Sequence, residues 1–455
     1  MPGRRAWRPR RPDARVLLQE QPSSTGERWQ ALGDWKRQLS RRDQAARRLL
    51  LATVMAKNGY DIDGDIDHDK VRAEIRELVD RVIRPNAERY DESGTFPRDN
   101  LDALAKHGWS SVLFPEALGG KGLDHVAFAI AAEEIASADA STALIYVMHV
   151  SATQTIQLFG TDDQKQRWVK SARDGKLGTF STSEAATGGH FWHNLSQARR
   201  DGEDYVIDLE KSFTTAAGHA DYYVLTTQTP GATKPSDVTW FIIDGKRPGI
   251  TPGPWKALGV RANHSGSLRV DNVKVPARDR LGREGQGKEI LFDGGSPSYL
   301  LGLGAVWHGV ARGALQETTR YATRTVHRDF NNRLADYQVL RQELGRSQVL
   351  VESLPAWQEA LATKLDASQA ARTPQSEFLF QLIQFKVHAA EAATQVTRAG
   401  LDVAGGYGYK KGALERYFRD ARAGVVMGPS NNIAREWLGK QLVGLPLELW
   451  EVGGE

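Results

Sequence analysis

The 455-residue chain has no cysteine, which excludes disulfide bonds, thiolate metal sites, iron–sulfur clusters and a cysteine nucleophile together. A reducing setting fits that absence, and a cytoplasmic location is expected. Long apolar runs are missing too: the stretch 49–56 falls far short of the roughly eighteen residues that span a bilayer, so no membrane crossing is expected. Excess charge is small, with 60 basic residues against 56 acidic ones giving +4. That excess is local. Arg4, Arg5, Arg8, Arg10, Arg11 and Arg15 face Asp13 alone, a balance of +5 in the first 18 residues that leaves −1 for all the rest. Residues 1–22 therefore read as a disordered basic tail, because charge and Pro2, Pro9 and Pro12 oppose a packed helix there.

What the chain does contain is ordered by period. Trp29, Leu32, Trp35 and Leu39 share one helical face, so residues 23–64 read as a helical N-terminal extension. From Val71 through Ile75, Leu78, Val82 and Ile83 the step of three and four predicts a helix that stops at Pro85. Further helices are predicted near 97–106, 124–136, 140–159 and 162–173, making 65–175 an α-helical domain. The pattern then shortens. Segments 205–209, 222–227, 238–243 and 268–275 are β-branched or aromatic and bounded by turn residues, which predicts an antiparallel β domain over 176–284. Helical spacing returns at 305–322, 334–354 and along Phe378, Leu382, Phe385, Ala389, Ala393 and Val396, with a last helix at 431–442. Residues 285–455 thus read as a C-terminal helical bundle.

Taken one at a time the chemical motifs are weak. Gly405-Gly406-Tyr407-Gly408 follows a helix, where glycines usually serve as a cap, and it lacks the strand that precedes a dinucleotide fingerprint. His190 and His193 form H-x-x-H, but no third ligand lies nearby to make a metal site.

Taken in order the motifs are specific. Thr95-Phe96-Pro97, Gly108-Trp109, Pro115-Glu116, Gly119-Gly120-Lys121-Gly122 and Ala132 to Ala136 closely resemble the acyl-CoA dehydrogenase superfamily. The likeness continues through Gly160 to Lys165, Thr182-Ser183-Glu184, Lys211 to Thr215, Gly259 to Arg261, Asp271 to Pro276, Gly405 to Tyr409 and Arg416 to Arg422. It covers about residues 65–445. The resemblance implies a helical domain, a middle β domain and a C-terminal four-helix bundle, with FAD as cofactor. It also implies a homo-oligomer, a dimer or tetramer, in which a neighbouring subunit completes each FAD site.

By that resemblance Ser183 faces the flavin's pyrimidine edge, Phe213 packs on the ring system and Thr215 lies near N5. Phe330 and Gln338 match positions that reach a neighbour's FAD. The pyrophosphate-binding arginine of the family falls at His327, so Arg328, ahead of Arg324, is taken to serve in its place. Asp402 stands where a glutamine is usual, three residues before Gly405 and Gly406.

The departures at the reacting centre matter more. The family's usual catalytic glutamate is replaced by Met427, and the alternative base position is Tyr299, followed by Leu300 where an arginine is common. The loop after Glu184 runs Ala185-Ala186-Thr187-Gly188-Gly189-His190, without the serine that contacts substrate. Three readings stay open. An acyl thioester, carried on CoA or an acyl carrier protein, is oxidised at its α,β bond with a displaced base such as Asp293. Alternatively the chain is a flavin-dependent monooxygenase using a C4a-hydroperoxyflavin, with His190 and His193 as donors and a flavin reductase or electron-transfer partner. Third, it is a non-catalytic flavoprotein whose basic tail docks nucleic acid.

Overall fold

The computed structural model describes residues 66–328 and 330–446; the tail and extension expected over 1–64 lie outside the described residues. Helix α1, His68–Leu78, starts at Asp67, whose carboxylate accepts from the amides of Asp69 and Lys70, and it buries Val71, Ile75 and Leu78. The chain does not stop at Pro85. A π turn, Val79–Ile83, feeds directly into α2, Arg84–Ser93, and Pro85 sits in that helix's first turn, where its missing N–H costs little. Helix α3, Arg98–Lys106, precedes α4, His125–Ala136, and α5, Ala140–Phe159, which are capped by Asp124 and Asp139.

Every residue of α4 is buried, including Glu133 and Glu134. Arg72 of α1 pairs with both carboxylates, at 2.9 and 2.7 Å, and Arg76 and Arg312 close the network. Burial alone would raise Glu133; His308, Arg312 and Arg72 overcome it and hold the carboxyl at about 2.

The middle region forms two four-stranded sheets. Strands β1 (Gly178–Ser181), β2 (Arg199–Asp201), β3 (Asp204–Lys211), β4 (Tyr222–Gln228), β5 (Val238–Asp244), β6 (Ile250–Pro252), β7 (Leu268–Val275) and β8 (Arg280–Leu281) assemble as β1-β4-β5-β8 and β2-β3-β7-β6. One pair departs from the antiparallel pattern: β1 runs parallel to β4, with Gly178 opposite Tyr222. The long connection between them, which carries β2 and β3, is what makes a parallel pairing reachable.

The C-terminal region is helical. It comprises α6 (Ser296–Arg324), a small hairpin of β9 (Val326–His327) and β10 (Asn332–Arg333), α7 (Gln338–Glu352), α8 (Pro355–Ala371), α9 (Leu379–Ala404), α10 (Ala413–Val426) and α11 (Asn431–Val443). Helices α6 and α9 pack along much of their lengths. Gly304 of α6 makes this possible, since a Cβ there would lie 2.2 Å from the ring of Phe385. The sequence pattern does not predict α8, and α6 begins nine residues earlier than its apolar period indicates. Among the described residues no helix is long and apolar enough to cross a membrane.

Candidate functional site

The segment that follows β3 forms a ledge built almost entirely from backbone and hydroxyl bonds. Ser212 donates its amide to the carbonyl of Ser183 at 2.9 Å, which sets Ser183 beside the ledge. Thr214 shares a hydroxyl bond with Ser181 at 2.6 Å, and Thr215 one with Ser265 at 2.8 Å. Thr179 donates to the Thr215 carbonyl at 2.8 Å. Phe213 has no place in this network and projects outward, 67% exposed. An exposed aromatic ring on a bonded ledge is a surface that suits a planar, apolar ligand.

Beneath the ledge lies a buried ion pair. Lys211 is fully buried and donates to Glu184 at 3.0 Å and to the Thr182 carbonyl at 3.0 Å. Glu184 also accepts the amides of Leu195 and Ser196, at 2.9 and 3.1 Å. The pair thereby ties β1, β3 and the 185–196 loop together. Burial draws the Lys211 ammonium down to about 8, with Glu184 opposing the shift.

That loop folds inward. His190 is 2% exposed and stacks on His193 with ring centres 5.3 Å apart, while Trp192 meets the edge of both rings. Trp192 also packs against Trp437 of α11 at 5.0 Å and Phe292 at 6.0 Å. The two histidines thus sit in an aromatic cluster joining the loop to the C-terminal helices.

A second group of predicted residues gathers at one end of the bundle. Arg328 and Phe330 are exposed in the β9–β10 hairpin, and Gln338 is the exposed first residue of α7. Leu334, Ala322 and Val403 pack together and bring this hairpin to the end of α9. There Asp402 is exposed and lies 3.8 Å from Arg398, and Gly405 adopts φ +56. No atom lies within 4 Å of where a Cβ of Gly405 or Gly406 would be, so the backbone there is open to a ligand's approach. His327 is engaged with the Tyr337 hydroxyl at 3.1 Å. The ledge and the bundle end each present groups that suit part of a flavin dinucleotide.

The turn after α10 is held on every side. Lys386, buried in α9, donates to the carbonyls of Met427 and Pro429 at 3.0 and 2.8 Å and to the side-chain oxygen of Asn431 at 3.0 Å. Tyr299 donates its hydroxyl to the Gly428 carbonyl at 2.8 Å, and burial pushes its pKa up. Asp293 accepts the amide of Ser376 at 2.8 Å and so caps the turn leading into α9. Leu300 is buried. Lys386 does not stand out at the level of sequence, although a lysine inside the Phe378-to-Val396 apolar stripe is the available signal. Burial draws it down to about 7, against the pull of Glu391.

Sequence profiles of the acyl-CoA dehydrogenase N-terminal, middle and C-terminal domains match residues 65–176, 179–273 and 301–443. The short-chain specific acyl-CoA dehydrogenase of Clostridium acetobutylicum is 30% identical over 363 residues, 78% of this chain and 92% of that protein. A probable acyl-CoA dehydrogenase of Bacillus subtilis is 28% identical over 387 residues, 83% of this chain and 98% of its own. The structure of glutaryl-coenzyme A dehydrogenase with glutaryl-CoA superposes with a TM-score of 0.78 at 25% identity, covering 85% of this chain and 98% of that one. Profile, sequence and fold agree along the described chain: it belongs to the acyl-CoA dehydrogenase family of flavin-dependent oxidoreductases, for which FAD is the expected cofactor.

Proposed function

We propose that this oxidoreductase works without an α-proton base on the 427–431 turn, and that it is a monooxygenase rather than a thioester dehydrogenase. One observation carries this reading. Tyr299 and Asp293, the two candidate substitutes for the family's glutamate, whose position the resemblance gives to Met427, are engaged elsewhere, Tyr299 with the Gly428 carbonyl and Asp293 with the Ser376 amide. When bound, the flavin supplies two electrons for reduction of oxygen; one oxygen atom enters the substrate and the other leaves as water. Those electrons require a reductase or electron-transfer partner.

In this reading Ser183, Phe213 and Thr215 hold and orient the ring. Arg328, Phe330, Gln338, Asp402, Gly405 and Gly406 serve the rest of a cofactor, reaching across to a second copy of the chain, so the working form is a homo-oligomer. His190 and His193 donate from the loop side. Phe213→Ala is expected to weaken flavin retention about fivefold, since the lost ring contact is worth on the order of 1 kcal/mol. Equilibrium dialysis of wild-type and variant protein checks this, and equal retention would remove Phe213 from the site.

The thioester reading is favoured by a different observation, the 30% identity to a short-chain acyl-CoA dehydrogenase. Anaerobic mixing with a panel of acyl-CoA thioesters separates the two. The oxidised flavin is expected to stay unbleached, whereas reduced enzyme given oxygen is expected to hydroxylate or otherwise oxygenate its substrate. Rapid bleaching by any simple acyl-CoA would return the chain to the dehydrogenases, with its base still to be found.

A further inference from the structure

Thr215 owes its place to a bond with Ser265, and Ser265 is preceded along the chain by an unusual anchor. His264 and His219 approach each other through Nδ1 and Nε2 at 3.1 Å. The Nε2 of His264 lies 2.9 Å from the carbonyl of Gly94, which only accepts, so that nitrogen carries hydrogen. His219 in turn stacks on Phe96 with ring centres 4.2 Å apart and planes 3° from parallel. The two histidines therefore fasten both halves of the ledge to the segment between α2 and α3.

The ledge needs fastening. Ala216 and His264 both occupy the left-handed region, at φ +60 and +49, which side chains adopt only when the surroundings insist. Cross-bonds hold the two turns face to face: Ala216 donates to the Asn263 carbonyl at 3.0 Å and Ala217 to the His264 carbonyl at 3.0 Å. Release of the imidazole pair would leave those strained turns with fewer restraints, one residue away from Thr215 on one side and Ser265 on the other.

We propose that His219 and His264 are a positioning pair that fixes the Thr215–Ser265 hydroxyls against the flavin, and that acid releases them. This rests on the reading of Thr215 as a flavin-facing residue. A single proton serves the gap between the rings; a second one there sets two N–H groups face to face, and the bond is lost. The charge facing the pair belongs to Arg98, which donates to the His219 carbonyl at 3.0 Å and has Asp102 at 4.0 Å; Gly94 contributes its carbonyl and Phe96 its ring. Burial, the His264 ring and Arg98 together draw His219 from 6.5 down to about 4. A depressed histidine stabilises the fold above its unfolded value, and that contribution is lost as pH falls from 6.5 through about 4.

The test uses flavin-loaded protein and two variants. His219→Gln keeps a donor near the ring's Nε2 position but cannot titrate; His219→Phe keeps the stacking on Phe96 and removes the bond. Amide exchange at Ala216 and Ala217, corrected for intrinsic rates, is expected to quicken about tenfold in wild type between pH 6.5 and 4, the factor that one lost hydrogen bond gives. The oxidised flavin band is expected to shift over the same range. His219→Gln should show neither change, and His219→Phe should show the acid form already at neutral pH. An acid response that persists in His219→Gln, or a His219→Phe variant that matches wild type at neutral pH, overturns the pair. Exchange that responds while the flavin band stays fixed upholds the anchor and overturns Thr215 as its target, which separates the two claims.

Discussion

Lys386→Met is expected to destabilise the flavin-loaded protein by about 3 kcal/mol or more at neutral pH, because it strands three oxygens at once, and each buried acceptor left without a donor costs roughly 1–3 kcal/mol. The oxygens are the carbonyls of Met427 and Pro429 and the side-chain oxygen of Asn431. The deficit should also widen in alkali. Lys386 is drawn from 10.5 to about 7 in the fold, so the unfolded chain binds the extra proton between those values and wild-type stability climbs as pH rises through that window. The variant lacks the titrating group and gains nothing from it. Urea unfolding at neutral pH and at about pH 9, inside that window, measures both effects. A deficit below about 1 kcal/mol, the worth of one ordinary net hydrogen bond, would mean that the turn is held by something other than Lys386.

Glu184→Ala is expected to be more damaging still, at about 3–5 kcal/mol, since it leaves the buried Lys211 ammonium without its counter-charge. It also takes the acceptor away from the amides of Leu195 and Ser196, so the 185–196 loop should loosen with it. A paired change, Glu184→Leu with Lys211→Met, removes both charges together and should recover much of the loss, because an apolar pair of similar volume is often as stable as the ion pair it replaces. Denaturation midpoints of the single and double variants decide the matter. Were the single variant as stable as wild type, the Lys211–Glu184 bond would be incidental to the ledge.

How far the sequence spoke for itself differs from element to element. The apolar step along Phe378, Leu382 and Phe385 announces α9, because a stripe at helical spacing is what one buried helix face leaves in a sequence. The strands β3, β4, β5 and β7 likewise fall on their predicted segments. Helix α8 carries no comparable stripe: its alanines and polar residues give a weak pattern that long-range packing has to complete. Pro85 misled for a physical reason, since the preceding π turn places it where a helix tolerates proline.

The site shows the same division. Motif order pointed to Phe213 and Thr215, and the structure gives one an exposed ring and the other a fixed hydroxyl. The partners of Lys386 are mostly backbone carbonyls more than forty positions away, and carbonyls leave no mark in a sequence. His219 and His264 are separated by 45 residues and meet only because two left-handed turns aim them at each other.

The buried carboxylates of α4 bear on how the protein responds to heat. Arg72, Arg76 and Arg312 join Glu133 and Glu134 into one charged knot spanning α1, α4 and α6. The penalty for keeping such charges out of water shrinks as temperature rises, whereas apolar burial gains little more per unit area. On warming, this knot should therefore weaken less than its surroundings, and the helices it joins should be the last part of the domain to melt. The sheets, which lack so dense a knot among the described residues, are then where thermal opening begins. In a mixture heated briefly with protease, the first cuts should fall in the β region and spare the segment from α1 to α4.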